Sequence, residues 1–123
     1  MAKSDQCAAI GTEGEQIAKR YLQKLGYKIY HSNIRVHRDE IDIIAYDPAD
    51  RVIVFTEVKA RSQHVQDFGP ELNMTDGKIK KLLRSARAWV HEHNFAGGYR
   101  VDVVFVVAGC VVDHWKELEF TID

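Results

Sequence analysis

Chemistry is suggested first by the stretch "VIVFTEVKARS", an apolar run that ends in alternating charges. Successive strand side chains point to opposite faces, so Ile53, Phe55, Glu57, Lys59 and Arg61 share one face. An unpaired charge on such a face is expensive, so it needs a partner, a metal or a functional reason. The preceding residues supply one candidate. In "EIDIIAYDPADRVIVFTEVK", a loop closed by Asp47 and Val52 sets Ala45 opposite Val54, Asp42 opposite Glu57 and Glu40 opposite Lys59. Directly opposed side chains have Cβ atoms roughly 4.5–5.5 Å apart, and two carboxylates so placed repel. A divalent cation between them relieves the repulsion, and carboxylate oxygens suit hard ions such as Mg²⁺ or Mn²⁺. This geometry holds only in that register, because a slip of one residue turns every side chain to the other face. The competing reading is a salt-bridge cluster, Glu40 with Lys59 and Asp42 with Arg61 or Arg35.

These residues must be carried by a hairpin, and the flanking patterns supply the rest of a scaffold. Apolar or small residues at Cys7, Ile10, Gly11, Gly14, Ile17, Ala18, Tyr21, Leu22 and Leu25 predict an amphipathic helix over about 5–25, stopped by Gly26. Glu15 lies at the rim of its apolar stripe, facing the sheet edge. Thr12 and Glu15 also fit a capping box, and the pattern alone leaves both roles open for Glu15. Strands are expected at 27–36, 40–47 and 52–62, followed by a loop containing Gly69 and Pro70. A helix over about 75–94 has Thr75 as its N-cap. Its stripe is Ile79, Leu82, Leu83, Ala86, Trp89 and Val90. "YRVDVVFVVAG" is a nearly all-apolar strand of the buried type, and the tail from Val111 adds a fifth. The order α-β-β-β-α-β-β predicts an α/β fold with a mixed five-stranded sheet. Three strands form a meander, and the long helix gives a right-handed crossover to a parallel fourth.

The bulk numbers fit one domain spanning 1–123. The chain has 123 residues, 46% of them hydrophobic and 28% charged, enough for a single core and too few charges for wholesale disorder. No apolar run approaches the roughly 18 residues of a membrane span. The opening "MAKSDQCAAIGTEGEQ" lacks the charged-then-apolar order of an export signal. Cys7 and Cys110 are far apart with no CxxC spacing, so neither a structural disulfide nor a zinc site is expected. The expected location is the cytoplasm. Net charge is −1, which excludes a basic nucleic-acid coat protein. The charge is unevenly spread, though. "KIKKLLRSAR" holds five basic residues and no acid, and such a helix could follow a phosphate backbone or simply be a solvated face.

Read together and in order, "GTEGEQIAKRYLQKLGYKI", "DEIDIIAYD", "VIVFTEVKARS", "MTDGKIKKLLRSARAWV" and "YRVDVVFV" resemble the YraN-like bacterial proteins. That family is placed in the PD-(D/E)xK nuclease superfamily, near the Holliday-junction resolvases. The resemblance implies a restriction-endonuclease-like αβββαβ core and metal-dependent hydrolysis of nucleic-acid phosphodiesters, with DNA as the expected partner. By matching position, Asp42 corresponds to the superfamily's metal-binding Asp, and Glu57 and Lys59 to its ExK motif. Glu15 matches the acid on the first helix, which moves its reading from cap to site, and Lys78 matches a Lys early in the second helix. The implied ligands of Mg²⁺ or Mn²⁺ are Asp42, Glu57, the Val58 carbonyl and Glu15, with Lys59 orienting the attacking water. Arg61, Lys78, Lys80, Lys81, Arg84 and Arg87 are the expected backbone contacts. Two departures stand out: Asp39 replaces the family's usual Gly, and Ile41 replaces the superfamily's Pro. The rival expectation is a nuclease fold that no longer cuts and binds nucleic acid or a protein partner. Many such folds act as dimers, so a homodimer is also among the implied assemblies.

Other residues read as structural. Asp102 sits in a buried strand beside Arg100, where pairing is expected. His91 and His93 suit a helix C-terminus. The remaining histidines, His114 among them, show no ligand spacing, while Trp89 reads as core and Trp115 as core or interface.

Overall fold

The structure, a computed structural model, describes residues 7, 13–61 and 75–117. In chain order these form α1 (Gly14–Lys24), β1 (Lys28–Val36), β2 (Asp39–Asp47), β3 (Val52–Arg61), α2 (Asp76–Glu92), β4 (Gly98–Val107) and β5 (Cys110–Trp115). The strands lie in the sheet in sequence order. β1–β2, β2–β3 and β4–β5 are antiparallel, whereas β3 and β4 run parallel. Parallel neighbours need a long connection, and α2 provides it. The result is the expected restriction-endonuclease-like αβββαβ architecture with a mixed five-stranded sheet. The loop around Gly69 and Pro70, and the tail beyond Glu117, lie outside the described residues.

Alternation along the central strands puts the two helices on opposite faces of the sheet. Ile53 and Phe55 of β3, with Val103 and Phe105 of β4, pack beneath Leu82, Ala86 and Trp89 of α2. Val54 of β3, with Val104 and Val106, packs beneath Ile17, Ala18 and Leu22 of α1. Because both faces are covered, β4 is buried from Arg100 to Val107, the reason its sequence is a continuous apolar run. Thr75 caps α2 as expected, its hydroxyl accepting from the Lys78 N–H at 3.3 Å. Gly26, at φ 99°, ends α1 in the left-handed conformation that favours glycine. Trp115 joins the α2-side core against Phe105.

A buried polar network gathers around Arg100 near the start of β4. The Arg100 guanidinium donates to Asp102, Asp47, Asp50 and the Tyr27 hydroxyl. Asp102, fully buried, also contacts His114 Nε2 at 2.8 Å, and His114 Nδ1 meets the Tyr21 hydroxyl at 2.9 Å. The expected Arg100–Asp102 pair is therefore part of a larger set in which His114 has a structural partner.

Two expectations are corrected at the N-terminus. The first helix starts at Gly14, not near Cys7. Its N-cap is Glu13, in an extended conformation without a side-chain cap bond, so Glu15 is the second helical residue and not the end of a box begun by Thr12. Cys7 instead forms an isolated antiparallel bridge and a disulfide with Cys110. The small residues Cys7 and Gly11 matched the helical stripe without requiring a helix. Sequence spacing could not show that the chain before α1 reaches the beginning of β5. The cysteines consequently give no argument for a reducing compartment. Among the described residues, no helix is long and apolar enough to cross a membrane.

Gly14 sets how closely α1 meets the sheet, because a Cβ there would lie 2.4 Å from the Ala60 Cβ. Gly14→Ala is expected to lower stability by about 1–3 kcal/mol through overpacking. Adding Ala60→Gly should restore much of the loss, measured by urea denaturation as a double-mutant cycle. Reducing the disulfide, which spans 103 residues of chain, is expected to lower stability by about 2–5 kcal/mol. Thiol titration of the unfolded protein with and without reductant, alongside thermal melts, checks this.

Candidate active site

The site forms where β2 leaves β3. The two strands pair from Asp47–Val52 to Ile43–Thr56, the register that sets Ala45 opposite Val54. Beyond Thr56, β3 stays paired with β4 as far as Arg61 and Val107. Its other edge is released from β2, and neither the expected Asp42–Glu57 pairing nor the expected Glu40–Lys59 pairing is part of the ladder. The freed Val58 N–H donates instead to Asp42 Oδ2 at 2.8 Å. A strand residue presents its N–H and C=O to the same neighbour, so the Val58 carbonyl shares this edge with Asp42.

β2 changes phase at the same point. Ile43 and Ala45 pack on the α1 side, whereas Ile41 and Ile44 pack on the α2 side. In regular alternation Ile41 and Ile43 would share a face. The β1–β2 register shifts between Ile29 and His31, and the ladder omits Asn33 and Asp42 between the pairs Ser32–Ile43 and Ile34–Ile41, where the change of face falls. Its counterpart on β1 is Asn33, whose φ is 53°. Asp42 is thereby turned toward the β3 edge while its neighbours remain in the core.

Three further charged groups surround it. Lys59 Nζ lies 3.4 Å from Glu57 Oε2, with both side chains largely covered. Glu15 stands in the first turn of α1, near enough to feel the Asp42 charge, and its Oε2 is buried without a hydrogen-bond partner. Burial first, then repulsion from Glu57, pushes the Asp42 carboxyl up to about 6, against the pull of the Val58 N–H. Burial and the Asp42 charge also raise Glu15, while a hydrogen bond from the Asn33 side chain acts the other way.

Hard carboxylate oxygens, an orphaned buried oxygen and a backbone carbonyl on the same edge make a donor set suited to Mg²⁺ or Mn²⁺. The groups are near one another without being drawn together. Among the described residues, no three Asp, Glu, His or Cys side chains are close enough to enclose an ion. The reason is visible in the contacts: Asp42 is held by Val58, Glu57 leans to Lys59, and uncompensated carboxylates repel.

Beside these groups lies a cleft of about 310 Å³, bounded by Glu57 and Lys59 of β3, Arg38 and Glu40, and Lys78 and Lys81 of α2. The basic residues of α2 do not form one stripe. At about 100° per residue, Lys80 and Arg87 fall on the face opposite Lys78, and both are exposed. Arg84 donates to Asp39 at 3.0 Å, with Ser85 donating to the same oxygen at 3.1 Å. The Arg84 bond holds the Asp39 carboxyl below its ordinary value. Asp39 thus fastens the β1–β2 turn to α2, and Arg84 offsets its charge. Arg61 closes β3 in register with Val107.

The chain matches the Uncharacterised protein family UPF0102 over residues 14–106, from the start of α1 almost to the end of β4. It belongs to this family, the YraN-like proteins. A UPF0102 protein of Sulfurihydrogenibium sp. is 45% identical over 92 residues, covering 73% of this chain and 76% of the relative. One from Chlorobaculum parvum is 40% identical over 106 residues, 81% and 76% of the two chains. One from Parabacteroides distasonis is 36% identical over 113 residues, 88% and 89%. The family span contains Glu15, Asp42, Glu57, Val58 and Lys59.

Asn33 and Arg38 were not among the candidates read from sequence. Asn is disfavoured in strands yet tolerates positive φ, so its place inside "YHSNIRV" was the available signal. The Asp42 environment yields a pH prediction. Its raised carboxyl means that the native state binds more protons than the unfolded chain between about pH 4 and 6, so apo stability falls as pH rises through that window. Asp42→Asn keeps an acceptor for Val58 and should be more stable than wild type by about 1–3 kcal/mol at pH 7.5. The difference should vanish near pH 3.5, as urea denaturation in chelator would show.

Proposed function

We propose that this UPF0102 protein is a metal-dependent endonuclease that hydrolyses DNA phosphodiester bonds at the edge between β2 and β3. The observation that carries the reading is the juxtaposition of the desolvated Asp42 with Glu57 and with the orphaned oxygen of Glu15, beside a lysine. Such an arrangement is destabilising without a cation and is common where one is held for catalysis. Asp42, Glu57, Glu15 and the Val58 carbonyl would hold Mg²⁺ or Mn²⁺. When bound, the ion would supply positive charge against the scissile phosphate and acidify a water.

The remaining work falls to the chain itself. Lys59 stands next to Glu57 and can donate to an attacking water's oxygen or to the phosphoryl oxygens as charge builds there. Lys78 and Lys81 border the cleft from α2, placed to contact phosphates without reading bases. In-line attack forms a new P–O bond and breaks the bond to the 3′ oxygen. The water's proton balance is completed on that leaving oxygen, giving a 5′-phosphate and a 3′-hydroxyl. Arg61 and Arg84 would widen the contact surface, with Arg84 first having to leave Asp39, whereas Lys80 and Arg87 face away from the cleft.

The alternative, a nuclease fold that binds nucleic acid or a protein partner without cutting, is favoured by one observation: the carboxylates are not already gathered around a single point. Metal-dependent turnover separates the two readings. Wild type is expected to bind about one Mn²⁺ by calorimetry and to nick branched or flapped DNA. Asp42→Asn/Glu57→Gln should lose both, while keeping its fold by circular dichroism. Cleavage retained by the pure, Mn²⁺-loaded double variant would remove these residues from the chemistry. Salt-sensitive DNA binding without any turnover by wild type would favour the binding module.

A further inference from the structure

Next to the cleft beside Lys59 lies a second cavity of about 350 Å³, bounded by Val36, His37 and Arg38 at the β1–β2 turn and by Arg84, Ser85 and Ala88 of α2. Arg38, Asp39 and Ser85 border both spaces, so the Ser85 hydroxyl bound to Asp39 Oδ2 at 3.1 Å is part of the wall between them. Lys78, Lys81, Ser85, Ala88 and Glu92 follow one another at steps of three and four residues, which puts them on one ridge of α2. The two spaces therefore succeed each other along that ridge, with Lys81 and Ala88 about 10 Å apart on the helix axis. Their linings differ in kind. The first holds Glu57, Lys59, Lys78 and Lys81 and is strongly charged. The second has apolar surface from the buried Val36 and the half-buried Ala88, with two flat groups at its border, the His37 ring and the Arg38 guanidinium. His37 Nε2 stands 2.8 Å from Glu92 Oε2, which ties the ring to the end of α2. Among the described residues the Arg38 guanidinium pairs with no carboxylate.

We propose that this second cavity receives the base of an unpaired DNA nucleotide whose phosphate lies in the first cleft, so that single-stranded or flapped DNA is admitted in preference to continuous duplex. A base has flat apolar faces and a polar edge, and apolar surface bordered by an imidazole and a guanidinium is a place where it stacks. Arg84 gives one N–H to Asp39 and keeps others for that edge. In a duplex each base is paired and stacked, and bringing it into a protein cavity means taking it out of the stack. An unpaired nucleotide meets far less of that cost. The first cleft supplies the complement, since Arg38, Lys78 and Lys81 suit a phosphate and read no base. The inference rests on the nuclease reading above for the chemistry in the cleft, and adds to it which form of DNA is taken. Binding tests it without metal or cleavage.

The experiment is equilibrium binding of the full chain, in chelator at low salt, to three DNAs: a short single strand carrying 2-aminopurine, the same strand fully paired, and a duplex bearing it as a flap. Wild type is expected to bind the single strand and the flap about tenfold or more tightly than the duplex, with 2-aminopurine emission changing on binding as the base stacks. Asp42→Asn/Glu57→Gln, which takes carboxylate charge away from the cleft, should show the same order of affinities. His37→Gly suits the left-handed φ of 57° and removes the ring, and Ala88→Leu fills the cavity. Each should weaken single-strand binding about fivefold or more and leave duplex binding unchanged. His37→Gly, at an exposed turn, decides by itself should Ala88→Leu fail to fold. Equal affinity for the three DNAs, emission unchanged on binding, no binding by either protein, or a preference that survives His37→Gly would overturn the proposal. Should wild type bind no Mn²⁺ and cut nothing, the nuclease reading fails, and the affinities in chelator still decide whether the cavity takes an unpaired base.

Discussion

The hydrogen bond from the Val58 N–H to Asp42 Oδ2 is the contact on which the site depends. In an ordinary antiparallel hairpin that N–H would join the β2 backbone, and the strands would remain zipped past Glu57. A carboxylate in its place satisfies the donor while letting β2 turn away. Buried backbone donors are rarely left unpaired, so strands can separate here only if something else accepts this bond. Asp42 thus serves two ends: it allows the opening, and it stands in it.

The opening also needs a frame that does not follow it. β3 remains fastened to β4 through Arg61, so Glu57 and Lys59 keep their positions after β2 has left. β4 in turn is packed on both faces and anchored at its beginning by Arg100. A buried cation of this kind is tolerable because its donors meet Asp102, Asp47, Asp50 and Tyr27 at once. Burial raises the Tyr27 hydroxyl to about 12, keeping it neutral beside the guanidinium. Charge is therefore paired around Arg100, whereas the carboxylates of Asp42, Glu57 and Glu15 raise one another's cost of ionisation or lie without a partner. The Arg100 network has no such imbalance.

Legibility in the sequence differed sharply between elements. β2, β3 and β4 were readable because alternation and continuous apolar runs reflect burial directly, and the Asp47–Val52 turn determined their register. The ladder keeps that register as far as Ile43–Thr56, one pair short of Asp42 and Glu57. The start of α1 was not readable, since Cys7 and Gly11 fit a helical stripe while the chain is bridged to Cys110. The α2 cations looked continuous in sequence, yet helical rotation separates Lys78 and Lys81 from Lys80 and Arg87, and Arg84 is engaged by a turn 45 residues away.

From sequence by itself came the element order of the described helices and strands and the family to which the chain belongs. All of these rest on periodicity or on residues close along the chain, where spacing translates directly into direction. Tertiary structure alone decided where the β2–β3 ladder stops and which face each strand residue takes beyond Asp42. It also decided the Cys7–Cys110 link and the pairing of Asp39 with Arg84. These are contacts between segments distant in the chain, and a strand irregularity reverses the alternation on which sequence reading relies. No local pattern encodes them, because each depends on how several elements pack at the same time.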